Sequence, residues 1–324
     1  MTTGKRMETT GHVQGQQITD IKAFASVIKQ MLEKAHPSAQ VEVLDVRKNN
    51  NLVLTGIVIR ETETSIAPTV YLESFFEQYQ TGKPLAEICR MIEELHQKAK
   101  LGSNFDVNSI AEFSIIKERI CYKLVNAKKN AVLLQSVPHR LWQDLAVIYY
   151  ISVPSEDSCG VASITVNNAI LEMWGVSEHV LYENAHRNTP ELFHAKIMTM
   201  EEVIKNMFRE AAGPESEMFA GMLASSADFP QLYAATNDSQ INGAAVILYD
   251  GVLEKFARQI HSDFYILPSS IHETLFLPVQ PDEDEHRIPE MVRSINLGCL
   301  APEEVLSDNA YRYYAEYNSV RLVR

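Results

Sequence analysis

The chain has 324 residues, of which 46% are hydrophobic and 22% are charged, as is typical of a globular protein. Its formal net charge of −13 argues against general binding to DNA, RNA or anionic membranes, because those partners require a basic face. We therefore expect an as yet unknown protein or small-molecule partner, with no nucleic acid and no membrane.

The cysteines indicate a reducing compartment. Cys89, Cys121, Cys159 and Cys299 are far apart and form no CxxC pair, which excludes a disulfide framework or a zinc knuckle. No apolar run reaches transmembrane length. Residues 1–16 are polar and lack the apolar core of a signal peptide, so we predict a disordered tail and a cytoplasmic location.

Residues 17–130 are predicted to form a helical region that contains a β-hairpin. Apolar residues recur with a helical period from Ile18 to Lys34, and the turn-rich Lys48–Asn51 separates two strand-like runs. Two further helices are predicted, at Val70–Gln80 and Pro84–Lys98.

Residues 131–324 are predicted to form an α+β domain of mostly antiparallel strands flanked by helices. The principal predicted elements are strands at Leu145–Val153, Val161–Val166, Leu232–Thr236, Ala244–Tyr249, Phe264–Leu267 and Ile271–Leu277, with helices at Asn168–Trp174 and Gly251–Ile260. The fold class is therefore α+β.

Two stretches of this domain suggest an internal duplication. Gly160-Val-Ala…Ala169-Ile-Leu-Glu and Gly243-Ala-Ala…Gly251-Val-Leu-Glu both read as a strand followed by a helix. A duplicated strand–strand–helix–strand unit would give similar half-units at 140–210 and 230–324, with a cleft between them that could hold a ligand. The alternative is that any two hairpin–helix units look alike.

The polar cluster Ser269, Ser270, His272 and Glu273 interrupts an apolar run. A strand here would place Ser270 and His272 on one face and Glu273 on the opposite, apolar face. Burial would raise the pKa of Glu273 and suit it to acid–base chemistry, or it could pair with Arg293. The alternative is structural: the serines cap a turn, and no glycine elbow presents a nucleophile.

A second group of residues has helical spacing. His179, Glu183 and His186 would share one helix face, which is compatible with metal ligation. However, Glu-x-x-His also occurs at Glu93–His96, Glu191–His194 and Glu283–His286, which indicates composition rather than a site. We predict no metal and, since phosphate-binding glycine loops are missing from the sequence, no cofactor.

Three segments carry a resemblance to a known family: Ile266–Glu273 (ILPSSIHE), Met291–Asn296 (MVRSIN) and Pro302–Tyr313 (PEEVLSDNAYRY). Together they resemble the bacterial domain-of-unknown-function family 5688. That family has no established activity and is often encoded near mobile elements. The resemblance favours the catalytic candidates Ser270, His272 and Glu273 and the ligand-binding candidates Ser269, Arg293 and Asn296, and it disfavours His179, His186 and His194.

Two functions remain open at this point. The first is a cytoplasmic, non-catalytic binding or regulatory module, associated with mobile elements, and it rests on the lack of a complete catalytic signature. The alternative is a hydrolase-like enzyme that uses Glu273 or His272 for acid–base chemistry and Ser270 as nucleophile. The sequence does not decide whether the protein is an enzyme.

Overall fold

The computed structural model describes residues 18–60, 68–100, 107–153, 162–212, 232–268, 270–281 and 284–323. The predicted tail at 1–16 lies outside these residues. The described residues divide into two compact units: residues 18–46 with 53–60 and 68–100, and residues 47–52 with the described residues from 107 to 323. Residues 107–130 thus belong to the second unit, whereas the sequence analysis grouped residues 17–130 in one region.

The first unit combines a three-stranded antiparallel sheet with helices. Its elements are α1 (Ile21–Ala35), β1 (Gln40–Arg47), β2 (Val53–Arg60), β3 (Thr69–Tyr71), α2 (Glu73–Gln80) and α3 (Leu85–Lys100). Asp20 caps α1 by accepting a hydrogen bond from the Ala23 backbone N–H at 3.0 Å. The apolar stripe of α1, with Phe24 and Ile28 fully buried, packs on the sheet as the helical period predicts.

The second unit begins with a sheet built around one long strand. Its elements are α4 (Phe113–Ile116), β4 (Ile120–Asn126), α5 (Ala131–Leu134), β5 (His139–Trp142), β6 (Leu145–Val153) and β7 (Ala162–Thr165). β6 is central: β4 pairs along one edge, from Ile120↔Ile151 to Asn126↔Leu145, and β5 and β7 pair in succession with the other edge. β6 is apolar almost throughout because protein covers both of its faces.

A six-stranded antiparallel sheet completes the second unit. Its strands are β8 (Ala195–Thr199), β9 (Tyr233–Asn237), β10 (Phe264–Leu267), β11 (Thr274–Pro278), β12 (Tyr311–Tyr314) and β13 (Ser319–Leu322), in the order β13-β12-β10-β11-β9-β8. The helices are α6 (Asn168–Trp174), α7 (Glu178–Leu192), α8 (Met200–Ala212), α9 (Val252–Ile260) and α10 (Ile288–Cys299). Antiparallel sheets with flanking helices confirm the predicted α+β class.

One aromatic cluster holds the larger sheet to α9. The Phe256 ring lies 5.0 Å from Tyr233, 4.9 Å from Phe264 and 5.0 Å from Phe276, measured between centroids. These rings belong to a buried core that also includes Tyr122 and residues from both sheets of the unit. The hydrophobic stripe of α9 therefore fixes the strands that lead into the polar turn after β10.

The strand predicted at Ala244–Tyr249 is wrong, because residues Gly243–Leu248 form a 3₁₀ helix. Asn242 adopts a left-handed conformation (φ 54°), and a Cβ on Gly243 would overlap Thr236 Oγ1 and the His272 carbonyl oxygen. The chain consequently turns here and does not extend. The duplication loses the strand on which it depended, and β8 of the first predicted half-unit pairs with β9 of the second.

Every described helix is too short or too polar to cross a lipid bilayer.

Candidate functional site

Residues 270–273 form a turn, not a strand. β10 and β11 pair antiparallel up to Leu267↔Leu275, and β11 starts only at Thr274, so the alternating faces predicted for Ser270–Glu273 do not exist. Ser269 lies outside the described residues. The turn is closed by the Ser270 hydroxyl, which accepts a hydrogen bond from the His272 backbone N–H at 3.0 Å.

Ser270 is not presented as a nucleophile. Its side chain is buried, with 5% of the residue exposed, and it forms a β-bridge with Val305. Among the described residues, no hydrogen bond joins the Ser270 hydroxyl to the His272 imidazole. The geometry supports the alternative reading, in which this serine stabilises a turn.

His272 is held at three atoms. Its carbonyl accepts from Thr236 Oγ1 at 2.8 Å, its backbone N–H donates to Ser270, and its Nδ1 accepts from the Asn242 backbone N–H at 3.3 Å. Because Nδ1 is an acceptor, the imidazole proton resides on Nε2, which lies 4.0 Å from Glu304 Oε1. With a side chain 36% exposed, His272 offers only Nε2 to a ligand.

Glu273 follows in the same turn and is half-buried. Burial raises the pKa of its carboxyl group, and the neighbouring His272 acts in the opposite direction. A raised pKa of Glu273 was also expected from the sequence. The carboxyl group is buried, however, in a turn at the end of a sheet and not on the apolar face of a strand.

The segments that carry the family resemblance meet at the loop 303–311. The Ile271 backbone N–H donates to the Glu304 carbonyl at 2.8 Å, and the Ser307 backbone N–H donates to the Pro268 carbonyl at 2.9 Å. From α10, Asn296 Nδ2 donates to the Ser307 carbonyl and to Asp308 Oδ1, both at 2.8 Å. The three segments are thus joined to one another by hydrogen bonds.

The two ligand-binding candidates on α10, Asn296 and Arg293, differ in exposure. Asn296 is buried, with 5% exposed, whereas Arg293 is exposed. Burial acts to raise the pKa of Asp308, but hydrogen bonds from Asn296 and Lys129, together with the charges of Lys129 and Arg293, lower it overall. The structure therefore associates Arg293 with Asp308 and not with Glu273.

Asp144, in the turn between β5 and β6, anchors this loop. It was not among the candidate site residues proposed from the sequence. Its Oδ2 accepts from Ser307 Oγ at 2.6 Å and from Asn309 Nδ2 at 2.9 Å, and its Oδ1 accepts from the Tyr311 hydroxyl. Burial and the adjacent Asp144 raise the pKa of Tyr311. We call Asp144, Asn296, Ser307, Asn309 and Tyr311 the polar hub. The only signal for it in the sequence was the set of segments that carry the resemblance.

The histidines with helical spacing take separate partners. His179 Nε2 lies 3.3 Å from Glu183 Oε1, while His186 Nε2 lies 3.0 Å from Asp250 Oδ2. His194 Nδ1 lies 3.2 Å from Asp238 Oδ2. Within the described part of the chain, no three His, Cys, Asp or Glu side chains are placed to hold a metal ion.

The polar hub is a buried hydrogen-bond network in which, among the described residues, Asn296 Oδ1 has no hydrogen-bond partner. Its side-chain contacts tie the loop at 303–311 to Asp144 and to α10, while backbone hydrogen bonds from this loop hold Pro268 and Ile271 against it. Partly exposed charged groups surround it: His272, Glu304, Lys129, Asp308 and Arg293. This arrangement can recognise a ligand or a protein surface, and among its described residues no nucleophile lies beside a base.

Comparison with known proteins gives a family but no function. Neither the curated proteins nor the solved structures contain a significant match. A family model described as a family of unknown function, DUF5688, matches residues 21–315, which include the polar hub and most of both units. The chain therefore belongs to the DUF5688 family.

Proposed function

We propose that the protein is a cytoplasmic, non-catalytic binding or regulatory protein. The observation that carries the proposal is the bonding of Ser270: its hydroxyl accepts a backbone N–H and its side chain is buried. A serine nucleophile must present its hydroxyl to a substrate and to a base, and this one does neither.

The polar hub supports the same proposal. A buried hydrogen-bond network rigidifies the loops it joins, and a rigid loop presents its outer side chains in a fixed arrangement. Here those outer groups carry both signs: Lys129 and Arg293 are positive, and Glu304 and Asp308 are negative, with Lys129 Nζ 3.2 Å from Asp308 Oδ2. Mixed charge around a rigid turn suits recognition of a polar ligand or partner.

The cysteines that the structure describes support the proposed compartment. Cys89 and Cys121 are buried free thiols, as expected in a reducing cytoplasm. A role in regulation near mobile elements is part of the proposal and rests only on the family resemblance.

One observation favours the alternative, a hydrolase-like enzyme. Glu273 has a raised pKa and lies beside His272, whose Nε2 is partly exposed, so the two could share a proton with a bound substrate. This enzyme would use water as the nucleophile, because Ser270 is already engaged.

The deciding experiment compares turnover with binding in the full-length protein. Wild type, His272→Ala and Glu273→Gln are incubated with chromogenic esters, phosphate esters, glycosides and peptides, and each variant is checked for folding by circular dichroism. We expect no turnover above background by any of the three proteins. Native mass spectrometry of the protein purified from cells is then expected to show a retained ligand or partner.

A contradictory result would be equally clear. Turnover of any of these substrates by the wild type that disappears in His272→Ala or Glu273→Gln, with folding unchanged, would replace the binding proposal by the enzyme.

A further inference from the structure

A surface cavity of about 520 Å³ lies where α7 meets the 3₁₀ turn Lys117–Arg119, which precedes β4. A volume of this size is typical of small-molecule sites. Both elements belong to the second unit, and the cavity shares no lining residue with the polar hub. Its lining consists of Lys117, Glu118, Arg187, Asn188, Glu191 and Leu192.

One polar side chain of this lining is buried and held in a fixed orientation. Asn188 is only 5% exposed, and its Nδ2 donates to the Lys117 carbonyl at 2.8 Å and to the Ile120 carbonyl at 3.0 Å. These two bonds use both amide hydrogens, and so they determine which end of the amide is the oxygen. Among the described residues, no donor reaches Asn188 Oδ1, and this oxygen is not sealed from the cavity. The cavity thus offers one fixed hydrogen-bond acceptor to a ligand.

Four charged side chains line the same cavity, and they carry both signs. Lys117 and Arg187 are positive, and Glu118 and Glu191 are negative. Within the described part of the chain, none of the four has an oppositely charged group within 4.0 Å. Arg187 instead donates from Nη2 to the neutral Asn184 Oδ1 at 2.9 Å. All four charges therefore remain available to a ligand.

The remaining lining residue is apolar. Leu192, the last residue of α7, is 46% exposed, so it adds hydrocarbon surface to the charged lining. A simple anion in this cavity would meet two glutamates, and a simple cation would meet a lysine and an arginine. The ligand that matches the lining carries both charges and an apolar part.

We propose that this cavity binds a small zwitterion, either a free amino acid with an apolar side chain or a short peptide. The ammonium group of the ligand donates to Asn188 Oδ1 and pairs with Glu191. Its carboxylate accepts from Arg187, whose planar guanidinium can bind both carboxylate oxygens, and its apolar side chain lies against Leu192. This inference names a ligand class and a site for the binding protein proposed above, and so it rests on that function.

The test is isothermal titration of the full-length protein with two probes, L-leucine and L-leucyl-L-leucine. We expect the wild type to bind at least one of them, and the tighter binder distinguishes an amino acid site from a peptide site. The N-acetylated form of that probe lacks the ammonium group, and the C-amidated form lacks the carboxylate. Each form should bind at least about tenfold more weakly, because a charge-assisted contact is lost.

Two variants test the charged residues of the cavity. Arg187→Gln and Glu191→Gln each remove one charge, and each should weaken the binding of the zwitterionic probe by about tenfold. Lys255→Gln and Glu172→Gln are the matched controls, because they remove an exposed lysine of α9 and an exposed glutamate of α6. Both controls should bind like wild type. Circular dichroism checks that every variant is folded.

Three results would overturn this proposal: no binding of either probe by wild type, equal affinity for the zwitterion and its acetylated or amidated form, or unchanged affinity in both charge variants. A different ligand retained in native mass spectrometry, with neither probe bound, would remove this site and leave the binding function in place. Turnover of the substrates tested above, with the zwitterion still bound at this cavity, would instead remove the non-catalytic function and leave the site.

Discussion

Ser307 donates a hydrogen bond of 2.6 Å to Asp144, a residue 163 positions earlier in the chain. This single contact ties the loop before β12 to the turn between β5 and β6, and so joins the two sheets of the second unit. Asn309 and Tyr311 bind the same carboxylate, which makes Asp144 the common acceptor of three side chains.

Replacing Asp144 with Ala should destabilise the second unit by about 2 to 4 kcal/mol, because three donors lose a charged acceptor at once. The change is measurable by tryptophan fluorescence during urea unfolding, since both tryptophans, Trp142 and Trp174, belong to this unit. Asp250→Ala is the control, because the Asp250 side chain is 90% exposed. An equal urea midpoint for Asp144→Ala and wild type would show that the polar hub does not hold the unit together.

Regular elements could be predicted from the sequence, whereas the residues of the polar hub could not. Periodicity located α1 and the β1–β2 pair, because an apolar stripe and a turn-rich tetrapeptide are local signals. Asp144 and Ser307 have no such signal: each looks like an ordinary loop residue, and only tertiary structure brings them together. Gly243 misled the prediction because a close approach of its backbone to Thr236 and His272 overrides the strand-like pattern that follows it.

That close approach gives a second prediction. Gly243→Ala should destabilise the protein by about 1 to 3 kcal/mol, because the new methyl group would overlap the Thr236 hydroxyl, the His272 carbonyl and the Asn237 backbone nitrogen. Gly298→Ala is the matched variant: nothing lies within 4 Å of its Cβ position in α10. In this exposed helical site alanine should stabilise by about 0.5 to 1 kcal/mol.

The urea midpoints of the two glycine variants should therefore move in opposite directions. A Gly243→Ala midpoint at or above that of wild type would mean that the turn around residue 272 has room to shift. In that case His272 would not be held in the fixed orientation described above.

The raised pKa of Glu273 predicts a specific dependence of stability on pH. A carboxyl group whose pKa is higher in the folded state than its ordinary 4.5 binds its proton more tightly when folded, so it loses stability as pH rises above about 4.5. Glu273→Gln removes the ionisation. The variant should be more stable than wild type at neutral pH, and the difference should disappear as the pH falls below 4.5.

The measurement is a set of urea midpoints for both proteins across this pH range. Glu172→Gln, at an exposed position on α6, should show no such pH-dependent difference. A Glu273→Gln variant that is less stable than wild type at neutral pH would indicate that the ionised carboxylate has a favourable partner. That result would support an ion pair of Glu273, as with the Arg293 partner considered in the sequence analysis.

The reactivity of Cys121 reports whether solvent reaches its face of β4. Burial raises the pKa of the Cys121 thiol to about 12, against weaker opposing hydrogen bonds from Thr189 and Tyr150, and the residue has no exposed surface. Since the thiolate is the reactive form, iodoacetamide should label Cys121 only after the protein is unfolded in urea, as read by peptide mass spectrometry. Labelling in native buffer at the rate of the unfolded chain would show that the face shared by Cys121 and Lys123 is open to solvent along its length. Protection of Cys121 in native buffer would instead show that this face is closed where Cys121 packs with Tyr150 and Phe193.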